Sequence, residues 1–166
     1  NHAMDKGRAG LVNCAEYWRD EYPQITVLGI HDTADTSTSC GADPSIIELG
    51  DMRIAVLNYT YGTNGISLPA DMPHADIQRA EELADFTIVC PHWGTEYRLT
   101  SDASQEKWTK IFAENGADLI LGTHPHVIEP IEWVTDEASK HEMLVYYSLG
   151  NFVNWTSGTG GNDYEK

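Results

Sequence analysis

The arrangement of short apolar runs in the second half of the chain constrains the fold more than any other feature. Two such runs, FTIVC at 86–90 and ADLILG at 117–122, each follow a segment whose apolar residues have helical spacing. These helical segments cover 74–85 and 101–116. A helix that precedes each buried strand is the pattern of an α/β domain with a parallel sheet. We therefore predict an α/β fold.

The rest of the chain predicts further elements of the same kind. Apolar residues at helical spacing indicate a helix, β-branched runs between turn residues indicate strands, and a Gly-Asp pair between two such runs indicates a hairpin. The predicted elements are an amphipathic helix with Leu11, Cys14, Ala15 and Trp18 on one face, a buried strand at 25–30, a hairpin at 45–61 turning at Gly50-Asp51, a loop at 62–73, and a final strand pair in IEPIEWV and MLVYYSLGNF.

The charge of the chain excludes one large class of partners. With 26 acidic and 10 basic residues the net charge is −16, so the protein repels nucleic acids and other polyanions. A site for an anionic substrate would need local cations, most simply bound metal ions. The three cysteines have no CxxC spacing, so they do not indicate a zinc site of their own.

Two histidines follow the apolar strand that ends at Gly122. His124 and His126 flank Pro125, which favours an extended backbone at His124. If the segment continues as a strand, both side chains point to one side; if it turns, the two rings can reach two different metal ions. The competing interpretation is that the loop contains two histidines without a metal role.

A second histidine loop follows the other buried strand. His92 stands directly after FTIVCP, with Gly94 and Glu96 behind it. Glu96 could orient an imidazole by accepting its second N–H, or it could be an exposed loop carboxylate. In α/β sheets the ligand site lies beyond the carboxyl ends of the strands, and both histidine loops occupy such ends.

The first residues of the chain add three candidates. Asn1, His2 and Asp5 precede the first helix, and Asp5 could equally be a helix N-cap. The remaining histidines have no companions, and we interpret them as surface residues: His31, His74 and His141.

Taken together, these motifs resemble a known family. NHAMDKG, HWGTEY, GADLILGTHPHVIEPIE and YYSLGNFVNW occur in an order similar to that of the poly-γ-glutamate capsule synthesis (CapA, PGA-cap) family of the calcineurin-like metallophosphoesterase superfamily. The resemblance covers residues 1 to about 155. It implies a metallophosphoesterase fold, an αββα sandwich with mixed sheets.

The resemblance also implies roles for individual residues. Asn1, His92, His124 and His126 would be ligands of two divalent metal ions, Mn, Fe or Zn, roughly 3.5 to 4 Å apart. His2 would be the catalytic residue, acting as general acid at the leaving oxygen. Three residues would support a ligand or contact substrate: Asp5, Glu96 and Asn151.

One departure from the family pattern concerns the acidic ligands. Family members carry an Asp-bearing GD motif and a second acidic motif upstream of the position of Asn1, and neither is present here. We therefore expect this chain to be the C-terminal portion of a longer protein, with a partial domain at 1–155 and a flexible tail at 156–166. For this chain alone we expect weak or absent metal binding and no hydrolase activity.

The implied function is poly-γ-glutamate capsule biosynthesis. A dimetal hydrolase or phosphoesterase-like domain would act on a phosphoester or on the anionic polymer, at the extracellular face of a bacterial envelope. The partners would be other capsule-synthesis membrane proteins and the missing N-terminal segment, which would carry the membrane anchor; nucleic acid is not expected. The alternative is a non-catalytic component that binds polymer or a partner protein.

Overall fold

A computed structural model describes residues 5–29, 44–60, 62–63, 66–67 and 72–152 of the 166-residue chain. Its elements, in chain order, are α1 Gly7–Glu21, β1 Ser45–Leu49, β2 Met52–Thr60, β3 Gly62–Thr63, β4 Ile66–Ser67, α2 Met72–Leu83, β5 Phe86–His92, α3 Ala103–Glu114, β6 Leu119–Leu121, β7 Ile131–Thr135 and β8 Glu142–Tyr146. None of the helices in these ranges is both long and apolar enough to cross a membrane.

Six of the strands form one mixed sheet in the order β1-β2-β5-β6-β8-β7. The four central strands are parallel, and β1 and β7 pair antiparallel at the two edges. Strands β3 and β4 form a separate two-stranded ribbon. The predicted α/β class, the hairpin of β1 with β2 and the final strand pair of β7 with β8 are confirmed.

Helix α3 begins at an acidic N-cap, Asp102. The Asp102 carboxylate accepts hydrogen bonds from the backbone N–H groups of Ser104 and Gln105, each at 2.9 Å. In return, Gln105 Oε1 accepts from the Asp102 backbone N–H at 2.9 Å, which completes a capping box. The helix ends before Gly116, whose φ of +99° suits glycine.

Helices α2 and α3 cover one face of the sheet and form the core with it. Ile77 and Ala80 of α2 and Phe112 of α3 pack onto this face. The inward-facing strand residues alternate along each strand, as a half-covered sheet requires. They are Ala55, Leu57, Thr87, Val89, Ile120, Met143 and Val145.

The opposite face of the sheet is also apolar, but its side chains are half-buried or exposed among the described residues. The parallel register aligns Val56, Ile88, Leu119 and Leu144 across this face, and Trp133 of β7 lies opposite Leu144. Trp133 is 66% exposed. A parallel sheet normally has both faces covered, so the described part of the chain supplies the cover of one face.

Two local predictions differ from the structure. Residues 25–29 form no strand, although ITVLGI has strand composition, because no described strand pairs with them and a strand needs a partner for its backbone hydrogen bonds. The segment 62–73, predicted as a loop, contains the ribbon of β3 and β4 and the start of α2. Helix α1 has the predicted position but contains no buried residue.

The prediction that His141 is a surface residue without companions is wrong. Its ring is partly buried, and Nε2 lies 2.8 Å from the Ala117 carbonyl oxygen and 3.7 Å from Asp118 Oδ1. Because a carbonyl oxygen only accepts, Nε2 carries the proton and donates it. His141 therefore ties the start of β8 to the start of β6. His31 and His74 lie outside the residues whose side chains are described.

Gly122 allows the chain to pass close to two neighbours just after β6. Its backbone N–H donates to the Tyr146 carbonyl at 2.8 Å, and its carbonyl accepts from the Leu149 N–H at 3.0 Å. A Cβ at this position would overlap the Tyr147 carbonyl oxygen and lie 2.6 Å from Trp93 Nε1. Only a residue without a side chain fits here.

Replacing Gly122 with alanine should therefore destabilise the fold strongly. The added methyl meets backbone rather than a movable side chain, so we expect the free energy of unfolding to fall by about 3 kcal/mol or more. Urea denaturation followed by tryptophan fluorescence measures this change. The matched control is Gly50→Asn in the hairpin turn, where a Cβ meets nothing within 4 Å and Asn tolerates the positive φ. Equal midpoints for Gly122→Ala and wild type would contradict the steric argument.

Candidate metal centre

Three loops meet at the end of the sheet that is formed by the carboxyl ends of the parallel strands. We call them the β5 loop (93–102), the β6 loop (122–130) and the β8 loop (147–152). Ligands of open α/β sheets bind at this end. The predicted site residues that the structure brings to it are His92 at the end of β5, Glu96 in the β5 loop, His124 and His126 in the β6 loop, and Asn151 in the β8 loop.

The parallel pairing of β5 and β6 continues beyond the regular strands. The Trp93 N–H donates to the Thr123 carbonyl at 3.1 Å, and the Thr123 N–H donates to the Pro91 carbonyl at 3.0 Å. His92 and Thr123 form an isolated parallel bridge. Because these bonds reach the first residue before His124, the two histidine loops leave the sheet side by side.

The β6 loop turns sharply at both histidines. His124 has a φ of 105° and His126 a φ of 64°, so the predicted extended backbone at His124 is wrong. The preference that Pro125 imposes is outweighed because the peptide groups on both sides are tied down. The Thr123 N–H bonds Pro91, and the Pro125 carbonyl accepts from the Tyr97 N–H at 2.8 Å. Positive φ in a residue other than glycine is strained and clusters at functional sites.

The turn brings three side chains into a cluster that could hold a metal ion. Ligand atoms of Glu96, His124 and His126 all lie within 4.8 Å of one another. Glu96 Oε1 is 3.9 Å from His126 Nε2, a gap that one ion can bridge with two bonds of about 2.0–2.2 Å. The sequence left open whether the segment of His124 and His126 continues as a strand or turns, and in the structure it turns.

His92 lies beside this cluster. The centroids of the His92 and His124 rings are 4.5 Å apart, with an angle of 40° between the ring planes. The His124 and His126 centroids are 6.0 Å apart. The His124 ring is therefore close to both of the other histidine rings.

Asn151 fixes the orientation and tautomer of His126. Asn151 Oδ1 lies 3.0 Å from His126 Nδ1. An amide oxygen only accepts, so Nδ1 carries a proton, and in the neutral ring the lone pair is on Nε2, the nitrogen that faces Glu96. An N–H held by an oxygen acceptor is the usual support of a metal-binding imidazole. The β8 loop thus contributes an orienting group.

Two imidazoles of the site, His92 and His124, favour the neutral form because their pKa values are lowered. Burial lowers the pKa of His92 to about 4, and the neighbouring His124 and His126 add to the effect. Burial also lowers the pKa of His124, against the opposing influence of the Glu96 carboxylate. A neutral imidazole presents a free lone pair, which is the form that binds a metal ion.

Aromatic side chains hold the β5 loop in place. Trp93 is 2% exposed, and its indole N–H donates to the Tyr147 carbonyl at 2.8 Å. Its ring stacks between Phe112 and Tyr147, with centroids 6.0 Å from each. In the middle of the loop, Tyr97 stacks on His126, with ring centroids 5.7 Å apart. The loop is therefore packed on both sides of Glu96.

The N-terminal candidates are not placed in the site. Asn1 and His2 lie outside the described residues, so their predicted roles stay predictions. Asp5 is exposed and is not part of the Glu96 cluster. The alternative that Asp5 caps the first helix is wrong, because Lys6 occupies the N-cap position and makes no side-chain cap hydrogen bond.

Sequence reasoning missed two buried residues beneath the loops. Gln105 is fully buried and Glu129 is 2% exposed, and Gln105 Nε2 donates to Glu129 Oε2 at 2.6 Å. The capping-box pattern of Asp102 and Gln105 was readable from the sequence. For Glu129 the signal was a single acidic residue within an otherwise apolar run, which the sequence does not distinguish from a surface position.

The donor set fits a divalent metal ion. Neutral imidazole nitrogens with a carboxylate oxygen suit Zn, Mn or Fe, and the described residues near the cluster bring no thiolate to it. The side chains that carry the ligand atoms stand on loops whose backbones are held by hydrogen bonds. The geometry thus supports metal binding through Glu96, His124 and His126, with His92 adjacent.

Comparisons with known proteins match this chain to a family of bacterial proteins. A family model described as "Bacterial capsule synthesis protein PGA_cap" matches residues 1–156. The "PGA biosynthesis protein CapA" of Bacillus subtilis (strain 168) is 32% identical over 173 aligned residues, which cover 94% of this chain and 42% of that protein. The "Capsule biosynthesis protein CapA" of Bacillus anthracis is 38% identical over 76 residues, 44% of this chain and 17% of that protein.

The chain thus spans less than half the length of the curated relatives it matches. The mixed α/β sheet is consistent with the metallophosphoesterase-like fold of the matching family, so the predicted fold is confirmed. Because the family model matches nearly the whole sequence, the chain belongs to the PGA_cap family of bacterial capsule synthesis proteins.

Proposed function

We propose that this chain supplies the histidine-rich part of a divalent-metal centre in poly-γ-glutamate capsule biosynthesis, and that the centre serves a hydrolase or phosphoesterase-like reaction. The observation that carries the proposal is the cluster of Glu96, His124 and His126, whose ligand atoms lie within 4.8 Å of one another. The names of the two relatives support the capsule role.

The residues of the proposed centre have distinct tasks. Glu96, His124 and His126 would hold one ion, and His92, whose ring is 4.5 Å from that of His124, would be available to a second. Asn151 orients the His126 ring through Nδ1. The ions would be Mn, Fe or Zn, and Asn1 and His2 would act as ligand and general acid.

When bound, divalent ions supply positive charge and Lewis acidity for hydrolysis. The residues of this chain would set the protonation state and orientation of the imidazoles that hold the ions. Burial keeps His92 and His124 neutral, and the Asn151 amide keeps the proton of His126 on Nδ1. Positioning of this kind is what a dimetal site requires from its protein.

The net charge of the chain supports a metal-dependent site. At −16 the protein repels an anionic polymer or a phosphoester, so a substrate of this kind needs local positive charge. Two divalent ions at the β5 and β6 loops would reverse the sign of the electrostatic field where the substrate binds.

We place the protein at the outer face of the bacterial envelope, anchored by a further segment, with other capsule-synthesis membrane proteins as partners.

The first test is metal binding by a protein of the relatives' full length that carries this sequence. We expect about two equivalents of Mn, Fe or Zn by elemental analysis after dialysis. His124→Ala and His126→Ala should each weaken binding by about 100-fold or more in calorimetric titration, because loss of a supporting residue alone costs 10- to 100-fold.

The matched control is His141→Gln, which removes a histidine at the opposite end of the sheet and leaves the three loops intact. Its metal content should equal that of wild type. Wild-type metal binding in a His124→Ala, His126→Ala double variant would contradict the proposed site.

The second test separates catalysis from simple binding. Strains whose only copy of the protein carries His92→Ala or His124→Ala should lose capsule polymer, while a His141→Gln strain keeps it. Polymer is measured as released glutamate after hydrolysis, with immunoblots to confirm equal protein levels. Normal polymer in the two site variants would instead favour a non-catalytic component that binds polymer or a partner protein.

The third test is the titration of His92 in metal-free protein. Its NMR midpoint should lie near pH 4, against an ordinary value of 6.5, because the buried ring resists a proton. Between these two pH values the unfolded chain binds a proton that the folded chain does not, so stability falls as the pH falls through this window. His92→Gln assigns the resonance and removes this contribution. A midpoint at or above 6.5 would contradict the proposed neutral site.

A further inference from the structure

The β6 loop contains a buried carboxyl group, that of Glu129, which lacks a complete set of hydrogen-bond partners. Glu129 is 2% exposed, and its Oε2 accepts from Gln105 Nε2 at 2.6 Å. Its Oε1 is buried and has no hydrogen-bond partner among the described residues. Burial raises the pKa of Glu129, and the nearby Asp102 acts in the same direction.

Such a group is costly to keep. A buried polar atom without a partner destabilises the fold, because its lost hydrogen bonds to water are not replaced, whereas a methionine or leucine of similar size has no such bonds to lose. Native folds contain few such atoms, and each one calls for an explanation. The hydrogen bonds that Glu129 makes therefore indicate what its burial is for.

On one side, Glu129 is connected to the residue that precedes Glu96. Gln105, which donates to Glu129, also accepts from the Asp102 backbone N–H at 2.9 Å. The Asp102 carboxylate accepts from Thr95 Oγ1 at 2.9 Å. Three hydrogen bonds thus connect Glu129 of the β6 loop, through Gln105 and Asp102, to Thr95, the residue next to Glu96.

On the other side, the residue that follows Glu96 is tied to the same β6 loop. The Tyr97 N–H donates to the Pro125 carbonyl at 2.8 Å. Glu96 thus lies between two fixed neighbours, Thr95 and Tyr97. The connections from Glu129 through Gln105 to Thr95, and from Tyr97 back to Pro125, form a closed circuit between the β5 and β6 loops.

The space around Gln105 agrees with this role. Gly94 has a φ of +85°, and a Cβ there would lie 2.8 Å from both Cδ and Nε2 of Gln105. The amide cannot swing aside without breaking its bonds to Asp102 and Glu129. A glycine at this position keeps room for an amide held in one orientation.

We propose that Glu129 and Gln105 are a positioning pair that locks the β5 loop onto the β6 loop and so sets Glu96 at metal-binding distance from His124 and His126. The pair touches neither the proposed metal nor the substrate. This inference rests on the proposed metal centre for its consequence, but the locking of the loops can be measured without any metal.

The central variant is Gln105→Glu. Glutamate at this position preserves the capping box, because its carboxylate still accepts from the Asp102 N–H, but it faces Glu129 without a donor. We expect zinc affinity to fall by roughly 10- to 100-fold, as it does when other supporting residues are lost. Adding Glu129→Gln restores a donor in the reversed direction and should bring the affinity back to within about threefold of wild type. Glu129→Gln alone should change little, since its amide oxygen accepts from Gln105.

A variant that only destabilises the fold serves as control. Val145→Ala leaves a cavity in the core but removes no hydrogen-bonding group of the circuit, so it should lower stability while zinc affinity stays unchanged. Zinc affinity is measured by calorimetric titration and stability by chemical denaturation, for each variant of a protein as long as the relatives. Glu129→Leu, which removes the acceptor with little change in volume, should behave as Gln105→Glu does.

Amide hydrogen exchange of Tyr97 in metal-free protein reports the loop lock directly. We expect its protection to fall at least tenfold in Gln105→Glu and to recover in the Gln105→Glu, Glu129→Gln double variant, while amides of β2 stay unchanged. If wild type binds no zinc but Tyr97 responds in this way, the loop lock stands and the metal centre fails. Unchanged Tyr97 protection in both Gln105→Glu and Glu129→Leu would overturn the positioning role.

Discussion

The site depends on the close passage of Gly122 between the Tyr147 carbonyl and the Trp93 indole. This passage allows β6 to continue into its loop while still hydrogen-bonded to the β8 segment on one side. On the other side, the Thr123 backbone is hydrogen-bonded to Pro91 of β5 and to Trp93 of the β5 loop. Because a single backbone is held by both neighbours, the three loops leave the sheet in fixed relative positions. The cluster of ligands is a consequence of that packing.

The sequence predicted the framework of the fold but not its long-range contacts. The helix-strand pattern of 74–122 and the Gly50-Asp51 turn are local signals, and the structure has the elements they indicate. The strand predicted at 25–30 failed because strand formation depends on a pairing partner that composition cannot supply. His141 was misjudged for the same reason, since its partners at 117 and 118 belong to a different strand.

The candidate site could be predicted in outline only. Strand-end position and family resemblance identified His92, His124 and His126, and the structure brings them together with Glu96. The backbone of His124 could not be predicted, because the local effect of Pro125 is weaker than two hydrogen bonds from distant residues. Glu129 escaped notice because its importance lies in burial, which emerges only when α3 packs beneath the loops.

The site residues come from the ends of three different strands, and this has a consequence for folding. His92, His124 and Asn151 lie far apart along the chain and meet only after β5, β6 and β8 have paired in register. Contacts of this kind form late, because the loops between them must close first. An unfolded chain therefore offers a cation no preformed chelate, and a cation that recognises the completed site binds the native state alone. Its effect would be to slow global unfolding rather than to nucleate folding.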